Sequence, residues 1–134
     1  SEARAILPKS ITLSNAIEQW SNVGSIVHAL HTNDYKLIGD SLKDVVVEPY
    51  RSKLIPEFDA VKAQALKSGA LGCGISGSGP SIFSLCKGET SAKKVEKAIR
   101  NVYKNTEIEF EVYVSKINEN GIRILNSLTV GDRR

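Results

Sequence analysis

The 134-residue chain carries eighteen Lys and Arg against fifteen Asp and Glu, a formal charge of +3, and 41% of its residues are apolar. That size and apolar content suit one globular domain with one core, and a mild, dispersed positive charge suits an anionic small molecule while arguing against a basic nucleic-acid block. No apolar run approaches the roughly 18 residues of a membrane span, and residues 1–10, SEARAILPKS, have neither region of a signal peptide, so the expectation is a soluble, cytoplasmic protein.

The chain contains no methionine and opens on Ser-Glu-Ala-Arg as though in mid-element, which leads us to expect a piece of a longer protein. The first clear pattern lies at residues 15–31, where Ala16, Trp20, Val23, Val27 and Leu30 recur at helical steps. Asn15 with Glu18 three residues on reads as its cap. A second helix is expected from Asn33 or Asp34, with Tyr35, Ile38, Leu42 and Val45 as its stripe, broken by Pro49. Pro56 suits the first position of a third helix with Phe58, Val61 and Ala65 inward, and Gly69 ends it.

There the period changes. ALGCGIS and SIFSLC are short and apolar and are bounded by Gly and Pro, so they predict two strands joined through SGSGP. A fourth helix is expected over residues 91–104 on Val95, Ala98, Ile99 and Val102. In residues 107–115, EIEFEVYVS, Ile108, Phe110, Val112 and Val114 alternate with Glu109, Glu111 and Tyr113, which predicts a strand with one buried face. Asn120-Gly121 signals a hairpin before GIRIL. The fold class expected is α+β, with helices on one face of a small antiparallel sheet.

Residues 72–81, GCGISGSGPS, hold four glycines, three serines and a proline. GCGISG matches G-x-G-x-x-G literally, but a dinucleotide site needs a helix directly after the motif, and here Pro80 and a strand follow. A P-loop fails because Ile75 stands where lysine is required. The esterase elbow fails because Ser78 replaces its second glycine. Glycines at 72, 74, 77 and 79 permit positive φ and let backbone N–H groups converge on an anion. A tight strand connection without a ligand explains the same composition.

Other constellations carry less. His28 and His31 share a helix face without an evident third metal ligand, and a polar face explains them more simply. Ser84-Leu-Cys-Lys87 has acylating-serine spacing inside a strand, without that chemistry's other motifs. Cys73 and Cys86 lie in apolar runs and read as buried free thiols.

Three segments taken together carry a resemblance: SEARAILP at 1–8, EPYRSKLIP at 48–56 and GISGSGPSIF at 74–83. The chain resembles the C-terminal half of the homoserine kinases, in the GHMP superfamily of small-molecule kinases. The glycine-rich segment, Gly74, Ser76, Gly77, Ser78, Gly79, Pro80 and Ser81, is similar to that superfamily's third motif, and Arg-x-x-Leu-Pro at Arg4 with Pro-x-Arg-x-x-Leu-Ile-Pro around Arg51 points to the homoserine branch. The resemblance implies a GHMP C-terminal domain with a ferredoxin-like small antiparallel sheet. It implies transfer of the ATP γ-phosphoryl group, with Mg²⁺, to the hydroxyl of L-homoserine, in threonine biosynthesis. It further implies that Arg4, Arg51 and Gly77 meet the substrate, while an N-terminal domain absent from these residues holds ATP and metal. No catalytic residue and no metal ligand is carried over, and the chain alone is expected to be inactive. A homodimer is a further expectation. The alternatives are a GHMP kinase of mevalonate, a sugar or the cytidyl-methylerythritol intermediate, or a non-catalytic amino-acid-binding module.

Overall fold

The computed structural model describes residues 2–122 and 124. Its elements, in chain order, are α1 (Glu2–Ala5), α2 (Leu13–Thr32), α3 (Tyr35–Ser41), α4 (Glu48–Arg51), a 3₁₀ turn (Ser52–Leu54), α5 (Phe58–Lys67), β1 (Ala70–Ile75), β2 (Ile82–Cys86) and α6 (Gly88–Tyr103). The class is α+β, as expected.

β1 and β2 form an antiparallel pair in which Cys73 faces Ser84 and Gly74 faces Phe83. The register slips between Ala70 and Gly72, so one extra residue bulges the strand. On one side of this hairpin Cys73 packs with Ala65 of α5 and Val95 of α6, and Ala70, Ile82, Cys86 and Ile99 close around them. The alternation of a strand turns Gly72 and Gly74 to the opposite side. There a Cβ on Gly72 would stand 2.5 Å from Leu42 Cδ1, and one on Gly74 would stand 3.2 Å from Phe83 and 3.3 Å from Glu48. These two glycines are small because α3 and α4 cross the strand closely. Neither has positive φ, contrary to the expectation; among the four glycines of the segment only Gly77 (63°) and Gly79 (85°) do.

The helix starts differ in instructive ways. Thr12, not Asn15, caps α2, its Oγ1 accepting the Asn15 N–H at 3.2 Å, because a cap must sit outside the helix with an extended backbone. Asp34 caps α3 as expected, accepting from Leu37 N–H at 2.9 Å. α3 ends at Ser41, so Val45 lies outside it. α5 begins at Phe58, two residues beyond Pro56, because Glu57 takes a left-handed turn with φ 59°. The Pro56 carbonyl instead accepts from the buried Tyr103 hydroxyl at 2.9 Å. α6 starts earlier than Ser91, whose hydroxyl donates to Gly69 O at 2.7 Å and ties α6 to the end of α5.

The stripe on α2 is real but points outward. Ala16 is buried, whereas Trp20, Val23, Val27 and Leu30 are 53–67% exposed, and Leu13 and Ile17 extend the same apolar surface. The face turned inward carries Ala29 and polar anchors: Gln19 Oε1 accepts from Val45 N–H at 3.0 Å and Asn22 donates to Lys43 O at 3.1 Å.

Residues 107–115 form no strand, which corrects the expectation. The alternation holds for Ile108, Phe110 and Val112, which are half-buried between exposed neighbours. Phe110 stacks on Tyr103 with ring centroids 5.0 Å apart, and Val112 O accepts from Arg100 at 2.9 Å. The segment thus covers α6 with one face, but among the described residues no chain runs beside it to pair its backbone, and period 2 reports the face rather than the pairing. Asn120-Gly121 does turn: Asn118 accepts from Asn120 N–H at 3.0 Å and Gly121 has φ 67°. Arg123 and Leu125 of the GIRIL segment expected after it lie outside the described residues.

Candidate functional site

Residues from three distant parts of the chain meet at Arg51. Its Nε–H donates to Ala3 O in α1 at 3.1 Å, and its Nη1–H donates to Gly77 O in the β1–β2 loop at 3.0 Å. Among the residues whose side chains are described, which excludes Glu2, its other N–H groups have no partner. A guanidinium presents a rigid planar set of donors, so fixing two of them on carbonyls fixes the direction of the rest.

The loop that offers Gly77 is a tight hairpin closure. Ser76 N–H donates to Ser81 O at 2.8 Å and Gly79 N–H to Ser76 O at 3.3 Å, so those two donors are spent inside the turn. The Gly79–Pro80 peptide is cis. A Cβ on Gly79 would lie 3.3 Å from Ile55 Cδ1, so the buried Ile55 after the 3₁₀ turn holds the loop from below. Around Gly77 the situation differs: a Cβ there would meet nothing within 4 Å. Ser76, Gly77, Ser78, Pro80 and Ser81 are exposed. Gly74, assigned by sequence to the same loop, is buried inside β1.

α4 places Arg51, and polar groups place α4. This one-turn helix buries none of its residues. Asp44 Oδ1 accepts from Val46 N–H at 2.9 Å and Val47 N–H at 2.8 Å, and its Oδ2 accepts from Glu48 N–H at 3.2 Å. Pro49 follows inside the first turn, where its missing N–H costs nothing. Glu48 pairs with Lys62 of α5. Asp44, Glu48 and Lys62 were not picked out in the sequence. Asp44, four residues ahead of Glu48, is the kind of capping signal that could have drawn attention to the first of them.

Arg4 is exposed and lies beside Ala3 in α1. The segment of Arg4, the segment of Arg51 and the loop of Gly77 are therefore brought together, with Arg51 as the joint. A cleft of about 220 Å³ opens nearby between Ser10, Ile11 and Thr12 on one side and Pro49 and Tyr50 on the other, but Arg4, Arg51 and Gly77 do not line it. Cys73 lies away from this surface in the core and carries a free thiol, which burial pushes above its usual pKa; Cys86 is free and shifted in the same direction by the same cause. His28 and His31 are exposed. Among the described residues no three His, Cys, Asp or Glu side chains come together, and no helix there is long and apolar enough to cross a membrane.

Comparison with known proteins bears on the family and the fold. The chain is 45% identical to the homoserine kinase of Chlorobaculum tepidum over 127 residues, covering 93% of this chain and 39% of that protein. It is 49% identical to the homoserine kinase of Chloroherpeton thalassium over 129 residues, covering 93% and 40%. The crystal structure of homoserine kinase from Cytophaga hutchinsonii superposes with a TM-score of 0.83 at 53% identity, over 86% of this chain and 36% of that one. The chain thus spans about two fifths of the length of the relatives it matches. The family described as GHMP kinases C terminal matches residues 26–105, a range that holds Arg51, the glycine loop and both strands, and the chain belongs to that family.

Proposed function

We propose that this chain is the substrate-holding part of a homoserine kinase, which moves the ATP γ-phosphoryl group to the side-chain hydroxyl of L-homoserine and yields O-phospho-L-homoserine. The observation that carries the reading is the Arg51 guanidinium, fixed on Ala3 O and Gly77 O beside the open space at Gly77. Homoserine has an α-carboxylate that must be held while its hydroxyl is aimed at phosphorus. An arginine fork matches a carboxylate two donors at a time. Arg51 takes that role, the exposed Arg4 beside Ala3 closes the other side, and the open space at Gly77 lets the substrate approach the backbone.

Phosphoryl transfer depends chiefly on positioning and on neutralising charge. Membership of a kinase family brings ATP into the reaction. Among the described residues no three His, Cys, Asp or Glu side chains come together, and no step is derived through the metal. ATP and Mg²⁺ belong in this reading to an N-terminal domain of the kind the longer relatives have room for, with a cytoplasmic and possible homodimeric setting.

The test is Arg51→Lys in a full-length kinase carrying this chain. Charge is kept and the fork is lost, so the homoserine KM rises while the ATP KM stays within about twofold. Loss of a charge-assisted bond of about 1.5–3 kcal/mol corresponds to roughly a tenfold to hundredfold drop in kcat/KM for homoserine. Wild-type homoserine kinetics in a folded Arg51→Lys enzyme would overturn the reading.

A further inference from the structure

We propose that Glu48 and Lys62 are positioning residues for Arg51: their ion pair, seated over the bare backbone of Gly74, fixes α4 on β1 and thereby fixes where the guanidinium meets Gly77. The inference rests on the reading of Arg51 as the substrate's carboxylate clamp and adds to it the device that sets the clamp's position.

Several observations single out this pair. The other ion pairs among the described residues, Lys36–Asp40, Lys93–Glu89 and Arg100–Glu96, join residues four apart on one helix, and both side chains of the first two are more than half exposed. Glu48 and Lys62 are 14 residues apart, join two different helices and leave only 15% and 25% of their side chains exposed. Burial of this kind costs desolvation, which the pairing must offset. The sequence makes room for the pair: a Cβ on Gly74 would stand 3.3 Å from Glu48 Oε2 and 3.2 Å from the Phe83 ring. Lys62 is held from its own side, with its ammonium 5.9 Å from the centroid of the Phe58 ring.

The leverage follows from α4 itself. A one-turn helix with no fully buried residue takes little of its placement from core packing. Asp44 fixes its first turn, and Glu48 is the residue that ties it sideways to α5. Glu48 and Arg51 are three apart, which puts both on one side of the turn. A shift of Glu48 across Gly74 therefore moves the guanidinium relative to Ala3 O and Gly77 O, and misplacement on the order of 1 Å is enough to cost about a hundredfold in rate.

The experiment uses a full-length kinase carrying this chain, with Glu48→Gln, Lys62→Met and Lys62→Arg compared. Steady-state kinetics are read beside the hydrogen exchange of the Arg51 Nε–H in ¹⁵N-arginine-labelled protein. Glu48→Gln and Lys62→Met are expected to speed that exchange and to raise the homoserine KM roughly tenfold to a hundredfold, with the ATP KM unchanged. The double variant is expected to be no worse than either single one, because both remove one interaction. Lys62→Arg, which keeps the charge and reach, restores both readouts. Lys62→Met retains most of the apolar stem, so it stands in if Glu48→Gln fails to fold. Folded variants that melt lower but leave both the Arg51 exchange and the homoserine KM at wild-type values overturn the proposal, since the pair would then be structural only. Faster exchange with an unchanged homoserine KM, in Arg51→Lys as well, supports the positioning and overturns the homoserine reading instead.

Discussion

Arg51 donates from Nη1 to the carbonyl of Gly77 at 3.0 Å, across 26 residues of chain. The bond joins a one-turn helix to a hairpin loop, so Gly77 is fixed in place by its carbonyl while the space above its Cα stays open.

That openness separates two roles of the glycine. Gly77 and Gly88 both have positive φ, 63° and 79°, and a Cβ at either meets nothing within 4 Å. Gly77→Ala and Gly88→Ala should therefore lose similar stability, about 1–2 kcal/mol, from backbone strain alone. Only Gly77→Ala should also lose most of its kcat/KM for homoserine, because its methyl enters space the substrate needs. Melting curves and kinetics on the two variants decide it. Equal activity per folded molecule would reduce Gly77 to a turn residue.

Gly72 is governed by packing. A Cβ there would stand 2.5 Å from Leu42 Cδ1 and 2.7 Å from Leu42 Cβ, and overpacking of this kind costs about 1–3 kcal/mol. Leu42→Ala alone should cost about 2 kcal/mol through lost burial. The double variant should be more stable than the sum of the two losses, since the new methyl fills the space that leucine vacates. Strict additivity in chemical denaturation would contradict the close crossing of α3 over β1.

Cys73 gives a pH dependence with a definite sign. Burial raises its thiol pKa in the folded chain, so the unfolded chain releases its proton first as pH rises. The stability tied to the neutral thiol is complete below the ordinary cysteine pKa of about 8.5 and is lost as pH climbs through the raised folded value. Denaturant midpoints measured from pH 7 to 10 should fall, and Cys73→Ala should flatten that fall. Iodoacetamide should modify Cys86, which is half-buried, well before Cys73, which is 1% exposed.

The apolar face of α2 predicts solution behaviour. Trp20 is the chain's single tryptophan, it is 67% exposed, and Leu13, Ile17, Val23, Val27 and Leu30 lie exposed on the same helix. Iodide should quench its fluorescence strongly in the isolated chain at low concentration. A contiguous apolar surface of this kind drives association, so sedimentation should show the 134-residue chain self-associating as its concentration rises. Trp20→Ser together with Val27→Ser should suppress that. A monodisperse chain at high concentration, with no change in the double variant, would contradict the exposure.

Much of the fold was written locally. The helical stripes of α2, α5 and α6, the Asp34 cap, and the Gly- and Pro-bounded runs of β1 and β2 depend on neighbours three or four residues away or on strand alternation, and a sequence displays those directly. The arginines in Arg-x-x-Leu-Pro and Pro-x-Arg, with the glycine loop, were legible as motifs. Their meeting was not, because the bonds from Arg51 to Ala3 and Gly77 span 48 and 26 residues. The tertiary structure alone decided that Gly72 and Gly74 give room to Leu42 and Glu48, and that the stripe of α2 faces outward. It also decided that residues 107–115 bury one face with no neighbouring strand among the described residues. Periodicity records which residues share a face of an element. What that face meets is set by chain brought from far away, and only packing specifies it.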